Sequence, residues 1–288
     1  MKVRKALITA AAPAQPTLPL QRLVDRDGAD KTALQLIVEE VVSAGVDEIC
    51  VVIQPGDQAA YRAAAGGEVD RITFVEQPSP RGYGDALFRA RDFVARESFL
   101  HLVGDHLYTS DTNRPCARQL MDVASEHQCA VSAVQATREN KLPFFGTVGG
   151  KSVPQHTDLY EVTTVVEKPT PTEAEQHLVI GGQRAGFYLC FFGMHVLTPT
   201  VMDILADLPS QSSAPAKIEL SEALATLAQR ERYLALEVKG SRYNIGAKYG
   251  LLIAQLAIAL SGCDRDRILT ELVELLATGS IVSATETS

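Results

Sequence analysis

Residues 32–53 read TALQLIVEEVVSAGVDEICVVI, and this stretch decides the fold class. Leu34, Ile37, Val38, Val41 and Val42 recur at helical spacing, which predicts one apolar helix face over residues 32–44. Gly45 stands where a helix terminates best, because glycine accepts the left-handed conformation that closes the last turn. Residues 48–53 then read as a strand, with Ile49 to Ile53 a continuous apolar run rich in β-branched residues, the pattern of a strand buried on both faces. Outward toward the N-terminus, residues 3–10 (VRKALITA) read as a short buried strand. The two runs flank the helix, and a β-loop-α-β order predicts a parallel sheet.

Further along, strands are expected over 72–76, 99–104 and 130–136, and helices over 85–96 and 114–126. Beyond Lys141 the character changes: residues 145–148, 159–166 and 185–192 read as strands with little helix between them, so the sheet is expected to be mixed. Helices are expected over 198–208 and 218–229, a strand over 234–238, and two helical pieces split near Gly262. The fold class is therefore α/β: a Rossmann-like mixed, mostly parallel sheet flanked by helices, with C-terminal helices. The division expected is an α/β domain over 1–262 and a C-terminal helix with a frayed tail over 263–288.

The chain has 288 residues with 46% hydrophobic and 22% charged, enough for one large α/β domain and far from the composition of a disordered chain. Its net charge of −8 argues against a nucleic-acid partner, which would require a basic face. The apolar start is short and stops at Thr9, with Pro13 and Pro16 behind it, so a first core strand is expected in place of a signal peptide. No stretch suits a membrane span. Cys50, Cys116, Cys129, Cys190 and Cys263 include no CxxC pair and do not cluster with histidine, so reduced thiols in a cytoplasmic protein are expected and zinc is not. Leu251, Leu252, Ile253, Leu256, Ile258 and Leu260 nearly encircle the first C-terminal helix. Such a helix is expected to be buried, against the main domain or in a homo-oligomer.

Four segments can carry chemistry. In LVGDH, 102–106, a strand ends in Gly104-Asp105, where an open α/β sheet binds ligands; Asp105 can hold a hard cation or simply make a turn. In VVEKP, 165–169, Glu167 and Lys168 offer a carboxylate for hydroxyls and an ammonium for a phosphate, with Pro169 expected to push Lys168 into an extended conformation. A solvated charge pair at a strand end is the plainer reading. In QPSPRGYGDA, 77–86, Gly82 and Gly84 precede a helix start, which suits an anion, although such glycines commonly mark only a turn. In KGSRYNIGAKYG, 239–250, Lys248 is expected in the first turn of a helix, where a bound anion would offset its unfavourable interaction with the helix dipole.

In order and spacing these segments, with VRKALITAA (3–11), IVEEVVSAGVDEICVV (37–52), FGTV (145–148), GMHVLTP (193–199), IELSEAL (218–224) and YNIGAKYGLLIAQ (243–255), resemble the bacterial-type UTP–glucose-1-phosphate uridylyltransferases, within the sugar-phosphate nucleotidyltransferases. The resemblance implies a nucleotide-diphospho-sugar transferase fold, and UTP and glucose 1-phosphate as small-molecule partners. Carried over by position, Gln77 and Gly82 would meet the uracil edge, and Ala10 and Ala11 would lie along the nucleotide. Asp105 would bind Mg²⁺ and act with Lys168 in catalysis. Gly146, Glu167 and Lys168 would hold glucose 1-phosphate, with Lys248 near the phosphates.

Two departures accompany this. The family's loop A-G-x-G-T-R-x-x-P stands here as Ala11-Ala12-Pro13-Ala14-Gln15-Pro16-Thr17-Leu18-Pro19, so both glycines are alanines and the arginine is Pro16. Proline cannot donate a backbone hydrogen bond to a phosphate. Arg22, Arg26 and Lys31 are the candidates to supply the missing cation. A second metal-binding aspartate of the family falls at Asn244, which can ligate Mg²⁺ but brings no charge. Two readings follow: an enzyme forming UDP-glucose and pyrophosphate, or a non-catalytic relative that binds nucleotide or sugar phosphate and regulates or assembles with a partner.

Overall fold

In the computed structural model, residues 1–12, 17–208 and 217–278 are described. The strands are β1 (Lys5–Thr9), β2 (Arg22–Val24), β3 (Asp30–Thr32), β4 (Glu48–Ile53), β5 (Ile72–Glu76), β6 (Phe99–Val103) and β7 (His106–Ser110), then β8 (Ala130–Arg138), β9 (Gly146–Ser152), β10 (Leu159–Glu167), β11 (Phe187–Leu197), β12 (Tyr233–Glu237) and β13 (Gly240–Asn244). The helices are α1 (Ala33–Ser43), α2 (Gln58–Ala64), α3 (Tyr83–Arg89), α4 (Arg91–Val94) and α5 (Cys116–His127), then α6 (Pro171–His177), α7 (Thr200–Asp207), α8 (Leu220–Arg230), α9 (Gly250–Leu260) and α10 (Arg265–Thr278).

Local sequence explains the opening unit. Thr32 caps α1: its hydroxyl accepts from the Gln35 amide at 3.1 Å, and the Gln35 side chain accepts from the Thr32 amide at 2.7 Å. This reciprocal pair satisfies two donors that the first helical turn leaves unpaired. Gly45 follows α1 with φ +97°, the left-handed stop read from the sequence. In β1 the side chains alternate, Ala6 and Ile8 toward one face and Leu7 toward the other, and β4 repeats this with Ile49, Val51 and Ile53 against Cys50 and Val52. Both faces are buried, as a parallel sheet under helices requires. Helices α1 and α5 cover the first face, and α3, α7 and α8 the second.

The main sheet has nine strands in the order β5-β4-β1-β6-β11-β8-β12-β10-β9, and β9 also pairs with β11. β5, β4, β1 and β6 run parallel, as do β8 and β12. β11 runs antiparallel between β6 and β8, and the β9–β10 hairpin is antiparallel as well, so the sheet is mixed. β7 and β13 form a separate antiparallel ribbon, and β2 with β3 another.

Several boundaries differ from the sequence expectations. The helix expected over 85–96 is broken at Ala90 into α3 and α4. The ribbon strands β2, β3, β7 and β13 are short and were not legible as strands. The helix encircled by apolar residues is not fully buried: α9 buries Ala254 and Ile258 but exposes Leu252 and Ile253. α10 has no buried residue among those described. Residues 279–288, expected to fray, lie outside the described residues. Cys50, Cys116, Cys129 and Cys190 are buried free thiols and Cys263 is an exposed one. Among the described residues no helix is long and apolar enough to cross a membrane.

Candidate active site

The parallel strands finish along one edge. Thr9, the last residue of β1, is level with Val52 of β4 and Val103 of β6, so the residues that follow these strands share a rim. Gln77 continues the ladder one step past β5, donating its backbone N–H to Ile53 O at 2.9 Å. The β7–β13 ribbon folds over the same rim. Its register sets Asn244 opposite His106, and Ile245 N donates to Asp105 O at 2.9 Å, so Asp105 and Asn244 become neighbours although 139 residues separate them.

A cleft of about 460 Å³ opens on this rim, within the range of small-molecule sites. Of the residues singled out from the sequence, Ala10, Ala11, Gln77, Gly82, Asp105, Glu167, Lys168 and Asn244 line it. Gly146 lies in an adjoining hollow of about 130 Å³ that shares Glu167. Lys248 is not brought in: it precedes α9 instead of entering its first turn, is exposed, and rests its Nζ 5.3 Å from the Tyr249 ring centre. A larger groove of about 660 Å³ lies elsewhere, along α1, β7 and the loop before β3, and shares no residue with the cleft.

At one corner of the cleft, His106 Nδ1 lies 2.7 Å from Asp105 Oδ1. Burial would raise the Asp105 carboxyl, but the hydrogen bond and charge of His106 outweigh it and hold the group below the usual carboxylate range. Asp105 is thus an anion, with its second oxygen free of that bond. Asn244 Oδ1 accepts from Gly246 N at 2.8 Å and keeps a further lone pair. One carboxylate and one amide oxygen form a hard donor set that fits Mg²⁺, which usually completes its shell with water and substrate phosphates.

At another corner, β10 ends on Glu167, paired in register with Gly146. A Cβ at position 146 would stand 2.9 Å from Glu167 Oε2 and 2.8 Å from the Phe191 ring, so glycine here leaves room for the carboxylate. Lys168 Nζ is 3.3 Å from Glu167 Oε1. Lys168 is not extended as expected: its φ is +48°. Pro169 disfavours the right-handed helical region for the residue before it, and the chain must turn from β10 toward α6, which leaves the left-handed region. That conformation costs a non-glycine residue about 1–2 kcal/mol.

Arg22, Arg26 and Lys31 do not line the cleft. Arg22 pairs with Asp30, Lys31 with Asp25 and Glu39, and Arg26 borders the larger groove. Each ion pair lies within or beside the β2–β3 ribbon, which holds these side chains away from the rim. Residues 13–16 of the altered loop are outside the described residues. The cation that sequence reasoning missed is Lys217, which lines the cleft and reaches Glu219 at 2.6 Å. It is carried there by backbone: Ile218 N donates to Arg81 O, and Ile218 O accepts from Gly84 N, both at 2.8 Å. Gly82 sits inside this tie with φ +114°, and a Cβ there would stand 2.5 Å from Ile218 O. Nothing in the sequence near Lys217 announces that pairing.

The nucleotidyl transferase family model matches residues 24–259. A protein from Streptococcus pyogenes described as UTP–glucose-1-phosphate uridylyltransferase is 32% identical, with 90% of each chain covered. A solved structure of UTP-bound UGPase from Acinetobacter baumannii superposes with a TM-score of 0.72 at 21% identity, covering 96% of this chain and 100% of that one. A UDP-glucose pyrophosphorylase complexed with UDP-glucose gives a TM-score of 0.70 at 21% identity, covering 89% and 98%. These structural likenesses carry the fold.

Proposed function

We propose that this chain, which belongs to the nucleotidyl transferase family, forms UDP-glucose and pyrophosphate from UTP and glucose 1-phosphate. The observation that carries the reading is one cleft on the carboxyl edge of the sheet that joins Gln77 and Gly82 to Asp105, Glu167 and Lys168. An oxygen of the glucose 1-phosphate phosphate attacks the α-phosphorus of UTP, a new P–O bond forms, and the bond from that phosphorus to the β,γ-diphosphate breaks to release pyrophosphate. No covalent enzyme intermediate is needed, so the protein's part is to position two anions and offset their charge.

Ala10 and Ala11 present backbone along the nucleotide, with Gln77 and Gly82 at the base. Glu167 takes sugar hydroxyls in the space that Gly146 leaves, and Lys168 steers the attacking phosphate. Lys217 is the described cation on the nucleotide side and takes the place in this scheme first given to Arg22, Arg26 or Lys31. Asp105 and Asn244 would hold Mg²⁺, which, when bound, draws charge from the phosphate oxygens. Lys248 is left without a role at the phosphates.

The deciding assay is pyrophosphate release by the unmodified chain with UTP and glucose 1-phosphate, with UDP-glucose identified as product. Absence of product above background, with sugar phosphate still bound in calorimetry, supports a binding protein instead.

We also propose a homodimer through α10. Leu269, Val273, Leu275 and Leu276 are exposed along it, and α10 buries none of its described residues. Light scattering at micromolar concentration tests this: a dimer is expected, and a monomer refutes it.

A further inference from the structure

The base-side wall of the cleft contains a buried carboxylate that the proposed reaction does not use. Asp85, in the first turn of α3, has no exposed surface. Its Oδ2 accepts from Gln77 Nε2 at 2.8 Å, and its Oδ1 is met by Arg81 at 2.7 Å and Arg89 at 3.4 Å. Gln77 Nε2 also donates to Gly82 O at 3.2 Å. Gln77 itself is 5% exposed and lines the cleft.

We propose that Asp85 is a positioning residue that fixes the Gln77 amide with its oxygen toward the nucleotide, so that the cleft selects a base with an N–H at position 3 of its pyrimidine ring. This rests on the functional reading above and goes beyond it to the origin of base choice.

An amide group can turn over and exchange its oxygen for its NH₂ with little change in shape. A carboxylate neighbour removes that freedom, because an ionised carboxylate only accepts hydrogen bonds. Burial works to protonate Asp85, but the bonds from Gln77 and Arg81 and the charges of Arg89 and Arg81 prevail and hold its pKa below the ordinary value. Turned over, Gln77 would set Oε1 against Asp85 Oδ2 and Gly82 O, three acceptors facing one another away from bulk water, at the cost of unpaired buried polar groups. The amide has two N–H bonds, and Asp85 and Gly82 take both. Oε1 is then the polar atom that Gln77 can offer a base.

An acceptor at that position discriminates. Uracil and thymine carry a proton on N3 and donate to Oε1. Cytosine has a lone pair on N3, and two acceptors would meet. The exocyclic O4 of uracil gains nothing from Gln77, because no N–H of the amide is left to reach it. Asp85 has no exposed surface, so its effect on the nucleotide is transmitted through Gln77.

The test needs no variant to begin with. Turnover by the unmodified chain is compared for UTP, CTP, N3-methyl-UTP and 4-thio-UTP, each with glucose 1-phosphate. Expected is a loss in kcat/KM on the order of 10²-fold or more for CTP and N3-methyl-UTP, since sites that hydrogen-bond a polar group reject analogues lacking it strongly. 4-Thio-UTP, altered only at position 4, should stay within a few-fold of UTP. Loss with 4-thio-UTP as large as with N3-methyl-UTP would overturn the proposal, because it would mean the amide presents its NH₂.

Asp85→Asn then reads the positioning role. Asparagine can donate as well as accept, so Gln77 can turn, and the ratio of UTP to CTP kcat/KM should fall at least tenfold with thermal unfolding still cooperative. An unchanged ratio in a folded Asp85→Asn protein overturns the role of Asp85. If that variant does not fold, the analogue series decides alone. If the unmodified chain makes no product, the functional reading fails separately, and calorimetric binding of UMP against CMP and N3-methyl-UMP is expected to keep the same order; equal binding overturns the proposal.

Discussion

The two walls of the cleft are built on opposite plans. On the base side, Gln77 and Asp85 are buried, and Arg81 and Arg89 reinforce them. Across the cleft, Asp105 is bonded by His106 through one oxygen, and the Glu167–Lys168 pair is open to solvent. The first arrangement is complete before a ligand arrives, so it can reject a wrong pattern of donors and acceptors. The second keeps free valences for anions that come with a large hydration shell and leave again. Under the proposed function, selection falls to the buried amide and carboxylate and affinity to exposed charge.

The sharpest way to break that contrast is to remove charge from the open wall. Asp105→Ala should lower turnover by on the order of 10²–10³-fold or more, as loss of one charge-stabilising group typically does. Pyrophosphate release measures this, with UTP/CTP preference retained in whatever activity remains. A collapse of base preference in Asp105→Ala would mean that the two walls are coupled.

Lys168→Ala comes next. A charge-assisted hydrogen bond is worth about 1.5–3 kcal/mol, so glucose 1-phosphate should bind about 10- to 150-fold more weakly in calorimetry. Solvent screening of this half-exposed side chain favours the lower end. Lys217→Ala should instead raise the KM for UTP, by about tenfold, and leave glucose 1-phosphate binding unchanged. An equal effect on both substrates would reassign Lys217.

How far the sequence revealed this contrast depends on what each group rests on. Gln77, Asp105 and Glu167 lie at or just beyond the ends of apolar strands, and apolar runs are the strongest signal a sequence carries. The stop at Gly45 was equally readable, because helix ends are decided within a few residues. Lys217 was invisible because its place is set by backbone pairing with the loop at Arg81, over a hundred residues away. Asn244 was placed by family likeness, while the strand that delivers it was missed: β13 is polar, partly exposed along its whole length, and held by pairing with β7 and packing beside α9. Lys248 went astray by two residues, because α9 begins at Gly250. Such an error at a helix boundary is small in sequence but moves a side chain off the rim.

A smaller effect sharpens the comparison on the metal side. Asn244→Asp adds a carboxylate beside Asp105, and Mg²⁺ affinity in the presence of UTP should rise about tenfold, read by titration of the metal into the nucleotide complex. Tight Mg²⁺ binding to the unmodified chain without nucleotide would contradict the picture of an incomplete site.

The last prediction concerns stability and lies beneath both walls. His101, fully buried, is held at about 4 by burial, partly offset by its bond to Leu7 O at 2.9 Å, against an ordinary 6.5. The unfolded chain takes up this proton first as pH falls, so stability is full above about pH 6.5 and declines toward pH 4, by up to ~3 kcal/mol. His195, stacked on His101 at 5.8 Å and also depressed by burial, acts in the same direction. Denaturant unfolding at pH 7.5 and pH 5 should show the loss, and a His101→Gln variant should reduce it, leaving the part due to His195.

The position of β11 has a consequence for how the chain is made. Residues 99–103 of β6 pair with β1 early, but their other edge waits for residues 194–197. A ribosome must extend the chain by nearly another hundred residues before that edge is covered. During that interval β6 offers a bare row of backbone donors and acceptors, and neighbouring nascent chains compete for them. Yield in cells is therefore expected to depend on how fast residues 104–197 are translated and on the holdases present, while the finished enzyme, with the seam closed, is indifferent to both.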